Sequence, residues 1–194
     1  MTYFTLVRHG QTSWNLDRRI QGTTDIPLND TGIEDARSAA DALRRTEFDA
    51  IVASPLVRAH RTAQVIAEEL GLADPTLERD LQERNFGEAE GMEIDDYLAR
   101  FGDWHTDVPG AETLEEVGHR ALTALLALSA RAREQSSPRA QQIIVVTHGG
   151  VIRSLLHRAS AGTLPLEGER LANGSIHCFV AEPNGLHLLD YAAV

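Results

Sequence analysis

The sequence predicts an α/β fold, a three-layer α/β/α sandwich with a mostly parallel sheet and a closing antiparallel hairpin. Short β-rich segments alternate with segments that carry helix-start signals, which is typical of a parallel sheet covered on both faces. Near the carboxyl end, the β-rich runs 175–180 and 186–190 enclose the turn sequence Pro183-Asn184-Gly185. With 42% apolar and 24% charged residues, the 194-residue chain is expected to form a single domain over 1–194.

The first half of the chain contains a strand, a helix and a second strand in succession. Residues 3–7 are a β-rich run that predicts a buried strand opening into a loop. A helix over 31–45 is expected next, with Thr31 as its N-cap and Glu34 as the capping-box partner. Residues 50–53 predict the second strand. Two strands joined through a helix are the unit from which parallel sheets are built.

The second half continues the alternation. Ser54, which precedes a proline, is expected to cap a helix that ends near Gly71. A capping-box pattern at 113–116 predicts a further helix that reaches about residue 135. Residues 142–147 are the clearest strand, and a helical pattern follows through His157.

Composition excludes several classes of partner. A net charge of −11 argues against nucleic acid and anionic membranes, because both reward clustered positive charge. Cys178 is the only cysteine, so an intramolecular disulfide and a multi-cysteine metal site are excluded. The longest uncharged apolar run, 121–130, is too short to span a bilayer, and no signal sequence precedes Tyr3. We therefore expect a cytoplasmic protein.

Polar residues follow three of the predicted strands. Arg8 and His9 come after the first strand, 54–58 after the second, and His148 after the strand at 142–147. Ligands of such folds lie beyond the carboxyl ends of the strands, so these segments are expected on one rim of the sheet. The rim is the candidate site.

These residues suit phosphoryl transfer. The reaction needs a nucleophile, cations for the equatorial phosphate oxygens and an acid for the leaving oxygen. His9 supplies an imidazole nucleophile, while Arg8, Arg58 and His148 supply positive charge or hydrogen-bond donors. Glu83 is a candidate acid, which then acts as the base on the water that cleaves phosphohistidine.

Each residue also has a purely structural interpretation. His9 fits an ordinary residue after a strand, His148 a turn residue before two glycines, and Arg58 a surface cation on a helix. Glu83 fits one member of a solvated acidic face, because it has several acidic neighbours. These neighbours are Glu78, Asp80, Glu88 and Glu90. The joint pattern favours the functional interpretation.

Five short sequence blocks extend the pattern over nearly the whole chain. They are Leu6-Val7-Arg8-His9-Gly10-Gln11-Thr12-Ser13-Trp14-Asn15; Gln21-Gly22 with Asp25-Ile26-Pro27-Leu28 and Thr31-Gly32; Ser54-Pro55-Leu56-Val57-Arg58-Ala59 with Thr62-Ala63; Leu81-Gln82-Glu83 with Phe86-Gly87; and Val146-Thr147-His148-Gly149-Gly150. In this order the blocks resemble the histidine phosphatase superfamily, which includes the cofactor-dependent phosphoglycerate mutases.

The resemblance implies a role for each matching residue. His9 is implied to be the residue that is phosphorylated, Arg8, Arg58 and His148 to bind the phosphoryl group, and Glu83 to be the acid and base. The implied substrate-binding positions are Asn15, Gln21, Gly22 and Gly149. It implies no metal and no cofactor, and the spacings of the eight histidines match none of the usual metal motifs.

Departures from the mutase pattern favour hydrolysis. The segment 88–107 carries one arginine, Arg100, among seven acidic residues, whereas family mutases insert a basic segment here to hold a carboxylate. Phe86 replaces a common tyrosine, and Gly150 also departs from the usual mutase residue. These differences predict that the phosphoryl group is passed to water.

The segment 87–110 is expected to form a lid or a pocket wall. Tyr97, Phe101 and Trp104 are candidates for apolar contacts to an organic leaving group. Tyr97 and Phe101 are four residues apart, so packing within a helix is the alternative. Arg18 and Arg19 are candidates for a second anionic group, or are solvated cations.

The sequence thus predicts a metal-independent phosphomonoesterase that acts through a phosphohistidine on a small phosphorylated metabolite. The alternatives are phosphoryl transfer of the phosphoglycerate mutase type and, from another class, a non-catalytic module that binds phosphorylated ligands. All five residues of the proposed machinery are present, which disfavours the module. The sequence identifies neither the ester nor the oligomeric state.

Overall fold

The computed structural model describes residues 1–104, 106–136, 139–166 and 168–192. Within these residues, six strands form one sheet in the order β3-β2-β4-β1-β5-β6. The strands are β1 (Thr2–Arg8), β2 (Ala50–Ala53), β3 (Thr76–Leu77), β4 (Gln141–Thr147), β5 (Ile176–Glu182) and β6 (Gly185–Tyr191). Strands β1 to β4 are parallel where they pair, and β5 is antiparallel to both β1 and β6. The predicted mostly parallel sheet and closing hairpin are confirmed.

The helices lie on both faces of the sheet. They are α1 (Ser13–Leu16), α2 (Asp30–Leu43), α3 (Val57–Leu70), α4 (Ile94–Phe101), α5 (Leu114–Ser136) and α6 (Gly149–Ala159). Side chains alternate across the sheet, so Leu6 packs into the core with α5 and α6, whereas Val7 packs into the core with α2 and α3. The three predicted layers are therefore present.

Two predicted helix starts are wrong. The N-cap of α2 is Asn29, whose Oδ1 accepts a hydrogen bond from Gly32 N at 2.8 Å, and not Thr31. Ser54 does not cap α3, which begins at Val57 after an N-cap residue, Leu56, that makes no side-chain bond. The capping box before α5 is as predicted, with Thr113 and Glu116 bonded reciprocally.

Segment 87–110 has a hydrophobic cluster of its own. Tyr97 is completely buried in this cluster, and its ring stacks on that of Trp104 at a centroid distance of 4.8 Å. This packing agrees with the alternative interpretation of Tyr97 as part of a helix core. Phe101 packs against the same cluster, as the alternative predicted.

The same segment is bonded to the loop that follows α1. Gly91 N donates to Ile20 O at 2.8 Å, and Ile20 N donates to Met92 O at 2.9 Å. Arg18 and Arg19 each form an ion pair with an acidic residue of the segment, Asp95 and Glu93 respectively. Among the described residues, no helix is long and apolar enough to cross a membrane.

Candidate active site

The carboxyl ends of β1, β2 and β4 meet at one rim, as the sequence predicted. Arg8 is paired with Thr147, so the residues that follow these strands are also neighbours. His9 N donates to Thr147 O at 2.9 Å, and Ser54 N donates to Val146 O at 3.0 Å. The rim therefore carries side chains from the first, second and fourth strands.

The orientation of His9 leaves one ring nitrogen free. His9 is 2% exposed, and its Nδ1 lies 2.7 Å from Gly10 O. A carbonyl oxygen only accepts, so Nδ1 donates and the lone pair is on Nε2. Burial, and then the nearby Arg58 and Arg8, lower the pKa of His9 well below its usual value. The ring is therefore neutral at physiological pH and its Nε2 is available as a nucleophile.

Two side chains support the backbone around His9: Asn173, which no sequence block contains, and Thr62, which belongs to the third block. Asn173 Nδ2 donates to His9 O at 2.9 Å, and Gly10 N donates to Thr62 Oγ1 at 3.0 Å. Arg8 is also held by the segment before β5. Its side chain donates to Leu171 O, its backbone N donates to Ser175 O at 3.0 Å, and its backbone O accepts from Gly174 N. Residues 171–175 are thus hydrogen-bonded to the end of β1 and to His9.

Both predicted arginines are at the site. Arg58 is completely buried and donates from Nη2 to Gly22 O at 2.7 Å and from Nη1 to Thr24 O at 2.9 Å. Burial lowers the pKa of Arg8 and of Arg58, while the charge of Glu83 raises both. Since arginine stays protonated in proteins, two positive charges adjoin His9.

The buried polar atoms without a partner are concentrated here. Among the described residues, four buried side-chain nitrogen or oxygen atoms make no hydrogen bond: Arg8 Nε, Arg58 Nε, His148 Nδ1 and Tyr97 Oη. Three of the four belong to residues that the sequence assigned to phosphoryl binding. A buried unpaired donor is costly, and such groups mark functional positions. These three nitrogens fit the oxygens of a bound anion.

His148 is completely buried, and its ring lies 5.1 Å from that of His9. Its Nε2 is 2.7 Å from Ser54 Oγ, which also accepts a hydrogen bond from Leu56 N at 3.3 Å. When the Ser54 hydroxyl donates to Nε2, the ring proton is on Nδ1, the atom without a partner. That tautomer makes Nδ1 a donor to an anion. Burial, followed by the charge of Arg58, lowers the pKa of His148 well below its usual value.

The Glu83 carboxylate is held at the edge of the site by backbone groups. Its Oε1 accepts from Arg84 N at 2.8 Å, and its Oε2 accepts from Gly150 N at 3.1 Å. A Cβ atom on Gly150 would overlap Glu83 Oε1, so the second glycine after His148 makes room for the carboxylate. A Cβ atom on Gly149 would instead lie 3.4 Å from Arg8 Nε.

Asn15 and Gln21 lie together beside the start of α1. The Thr12 hydroxyl is 3.0 Å from Gln21 Oε1 and 3.1 Å from Asn15 Oδ1, so both amide oxygens face Thr12. Asn173 Nδ2 also lies 3.3 Å from Asn15 Oδ1. With the oxygens so engaged, the amide NH₂ groups are the atoms left to donate to a ligand. Gly22 contributes its backbone carbonyl to Arg58.

A cavity of about 280 Å³ opens next to Glu83. The residues that line it are all of polar or charged type: Thr23, Arg79, Asp80, Gln82, Glu83, Asn85, Glu112 and Arg120. Arg120 was not predicted from the sequence. It donates to Gln82 O at 2.7 Å and to Glu83 O at 3.0 Å, and it pairs with Glu112 at 2.8 Å. A larger cavity of about 440 Å³, at the end of α6, contains none of the predicted site residues.

Metal-ligand geometry is absent from the described part of the chain. Within it, no group of three or more histidine, cysteine, aspartate or glutamate side chains is arranged to hold a metal ion. The positive charge next to His9 comes from Arg8 and Arg58.

The chain was compared with known proteins. The profile of the histidine phosphatase superfamily (branch 1) matches residues 4–193. The chain is 41% identical over 177 residues to a protein named uncharacterized phosphatase PhoE from Bacillus subtilis (strain 168), with 91% of this chain and 86% of that protein covered. It is 31% identical over 201 residues to a metal-independent phosphoserine phosphatase from Arabidopsis thaliana, with coverage of 98% and 78%.

A solved structure is also similar over the full length. A mycobacterial glucosyl-3-phosphoglycerate phosphatase in complex with VO3 has a TM-score of 0.83 and 27% identity, with 100% of both chains covered. Proteins named 2,3-bisphosphoglycerate-dependent phosphoglycerate mutase are among the relatives as well.

Proposed function

Because the chain belongs to the histidine phosphatase superfamily, we propose that it is a metal-independent phosphomonoesterase that acts on a small phosphorylated metabolite through a phosphohistidine. One observation carries the proposal. His9 presents a free Nε2 beside the half-buried Arg8, the buried Arg58 and the buried His148, each of which has a buried nitrogen without a partner. A phosphoryl group in front of Nε2 would satisfy all three nitrogens.

In the first half-reaction, His9 Nε2 attacks phosphorus and the bond from phosphorus to the ester oxygen breaks. Glu83 acts as the acid that transfers a proton to the leaving oxygen. Arg8, Arg58 and His148 bind the equatorial oxygens as charge redistributes over them. The positive charge that appears on the imidazole is stabilised by the bond from Nδ1 to Gly10 O.

In the second half-reaction, the Glu83 carboxylate takes a proton from water, and the resulting hydroxide attacks phosphorus. The bond between phosphorus and Nε2 breaks, neutral His9 is restored and inorganic phosphate leaves. Glu83 thereby regains the proton that it gave to the leaving oxygen. The backbone donors Arg84 N and Gly150 N stabilise its ionised form between the two steps.

The surroundings of Glu83 favour a polar leaving group. The adjoining cavity is lined only by polar and charged residues within the described chain, whereas Tyr97 is enclosed in its own cluster. Arg120, which faces this cavity, is paired with Glu112. A hydroxylated or charged metabolite therefore fits better than a purely apolar one.

Hydrolysis is favoured over phosphoglycerate mutase activity by the charges of segment 88–107. Arg100 pairs with Glu88, and the nearby Arg18 and Arg19 pair with acidic residues of the same segment. These cations already have carboxylate partners from the protein, so they are poorly placed to hold the carboxylate of a substrate. A mutase needs such cations to keep its substrate while the phosphoryl group is returned.

The test is turnover of 4-nitrophenyl phosphate in the presence of a chelator, followed by phosphate release from a panel of phosphorylated metabolites. We expect release to persist with the chelator, and Glu83→Gln to slow alkyl esters more than aryl esters. Well-folded protein that hydrolyses no phosphate ester would favour the non-catalytic module. Exchange between phosphoglycerate isomers that is faster than phosphate release would establish the mutase alternative.

A further inference from the structure

Glu90 is an acidic residue of segment 87–110 that turns towards the active site instead of solvent. Its Oε1 accepts from Thr23 N at 2.8 Å and from Thr23 Oγ1 at 3.0 Å. Its Oε2 accepts from Thr24 N at 3.0 Å and from Thr24 Oγ1 at 2.6 Å. One carboxylate thus receives both the backbone and the hydroxyl hydrogens of two consecutive threonines.

The backbone that Glu90 holds is the same backbone that holds Arg58. In the peptide group between Gly22 and Thr23, the carbonyl oxygen accepts from Arg58 Nη2 at 2.7 Å and the N–H donates to Glu90 Oε1. Thr24 also contacts both residues, through two successive peptide groups: its N–H donates to Glu90 and its carbonyl accepts from Arg58 Nη1. The charges of Arg58 and Glu90 therefore face each other across loop 22–24.

The position of Gly22 shows how close this approach is. Gly22 has φ +54°, a left-handed conformation that favours glycine, and a Cβ atom there would overlap the carboxylate of Glu90. Gly22 was predicted as a substrate-binding position. Its observed role is to let Glu90 reach the backbone of loop 22–24.

We propose that Glu90 is a positioning residue that holds loop 22–24 so that the Arg58 guanidinium faces the phosphoryl group. This rests on the proposed function, in which Arg58 binds that group. The two carbonyls fix Nη1 and Nη2, which leaves Nε as the nitrogen of Arg58 without a partner in the protein. Consecutive hydrogen bonds that share a peptide group polarise one another, so the Glu90 carboxylate also strengthens the hydrogen bond between the Gly22 carbonyl and Arg58.

The electrostatics agree with this arrangement. Burial alone would raise the pKa of Glu90, but the hydrogen bonds from Thr24, Thr23 and Phe86 outweigh burial and lower it. The carboxylate is therefore ionised at neutral pH. Its charge in turn raises the pKa of Arg58 and partly offsets the lowering by burial.

A purely structural role gives different expectations. If Glu90 only attached segment 87–110 to loop 22–24, its loss would lower thermal stability and leave the affinity of correctly folded protein for phosphate unchanged. If Glu90 orients Arg58, phosphate affinity falls, and it falls only while Arg58 is present. A double-mutant cycle between the two residues separates these cases.

The experiment measures inorganic phosphate binding by calorimetry for wild type, Glu90→Gln, Arg58→Ala and the double variant. Glu88→Gln is the matched control, because Glu88 lies in the same segment, is exposed and pairs only with Arg100 among the described residues. We expect Glu90→Gln to raise the dissociation constant about tenfold, less than the roughly hundredfold cost of misplacing a catalytic group by 1 Å. Glu88→Gln should change the dissociation constant of wild type by less than about twofold. Glu90→Gln, when it is added to Arg58→Ala, should likewise change the dissociation constant of Arg58→Ala by less than about twofold.

Unchanged phosphate affinity in folded Glu90→Gln overturns the proposal, as does an equal loss in both backgrounds. If Glu90→Gln does not fold, Thr24→Val removes the 2.6 Å bond from the other side and should weaken phosphate binding in the same way. Wild type that binds phosphate but hydrolyses no ester refutes the phosphatase function and leaves the role of Glu90 measurable. Folded wild type that binds no phosphate overturns both.

Discussion

Gly150→Ala tests whether Glu83 is the acid, because it changes the place of the carboxylate without changing its chemistry. The added Cβ atom would come about 1 Å closer to Glu83 Oε1 than the 3.4 Å at which ordinary contact begins. Gly150 is in the first turn of α6, where its carbonyl is held from within the helix and also accepts from Ser154 Oγ at 2.8 Å, so we expect the carboxylate to move.

The expected loss depends on the ester. A catalytic group displaced by about 1 Å costs roughly a hundredfold in rate when the step depends on it. An alkyl phosphate such as glycerol phosphate needs protonation of its leaving oxygen, so kcat/KM should fall by about that factor. An activated aryl ester leaves with little protonation, and its loss should stay below about tenfold.

The assay is kcat/KM for both esters with wild type, Gly150→Ala, Glu83→Gln and the double variant. Since both substitutions act on one carboxylate, the double variant should be little worse than Glu83→Gln alone. The thermal midpoint serves as the folding control. Equal losses on the two esters, or full additivity of the two substitutions, would refute the assignment of Glu83 as the acid that Gly150 accommodates.

Three further predictions concern the histidines. His9→Ala should abolish acid-labile phosphoenzyme labelling while circular dichroism stays unchanged; labelling that persists would identify another nucleophile. Ser54→Ala removes the partner of His148 Nε2 and should weaken phosphate binding about tenfold, because the donor on Nδ1 is no longer fixed; calorimetry with unaltered affinity contradicts this. Because the pKa of His9 is well below 6.5, kcat/KM corrected for substrate ionisation should not fall as pH drops through 6.5, and a fall there would show that His9 is not the group described.

The sequence predicted the main elements of the fold but misplaced two helix starts. Asn29 and Thr31 are both good caps. Asn29 is the one used, and Gln11 holds it in place: Asn29 N donates to Gln11 O at 3.1 Å and Asn29 Nδ2 donates to Gln11 Oε1 at 3.0 Å. Ser54 precedes a proline, which usually indicates a cap, but α3 begins only at Val57, and Ser54 Oγ lies 2.7 Å from Nε2 of His148, which is 94 residues away. Long-range partners of this kind leave no mark in a local pattern.

At the active site too, the sequence predicted residues that belong to a local pattern and missed long-range partners. The sequence predicted one shared rim for four residues because their segments follow strands of the sheet: Arg8, His9, Arg58 and His148. The structure places them together. Asn173 was not predicted, since it lies in a loop without a motif and contributes one amide to His9 O. Arg120 was missed because it looks like an ordinary polar residue of α5, although it holds two carbonyls around Glu83.

Glu90 shows a further limit of prediction from the sequence. In the sequence it is one of seven acidic residues of the segment 88–107, and composition treats all of them as equivalent. In the structure it differs from Glu88, which points to Arg100, because the backbone at Gly22 permits a close approach. The direction in which a side chain turns depends on its neighbours in space.

The hydrogen bonds between segment 171–175 and the end of β1 have a consequence for protein synthesis. Leu171 lies 163 residues after Arg8 and Asn173 lies 164 residues after His9, so the ribosome makes Arg8 and His9 long before it makes the residues that hold them. Contacts across such separations close late in folding. We therefore expect nascent chains stalled before Ser175 to release no phosphate, and activity to begin only after the hairpin of β5 and β6 has left the ribosome.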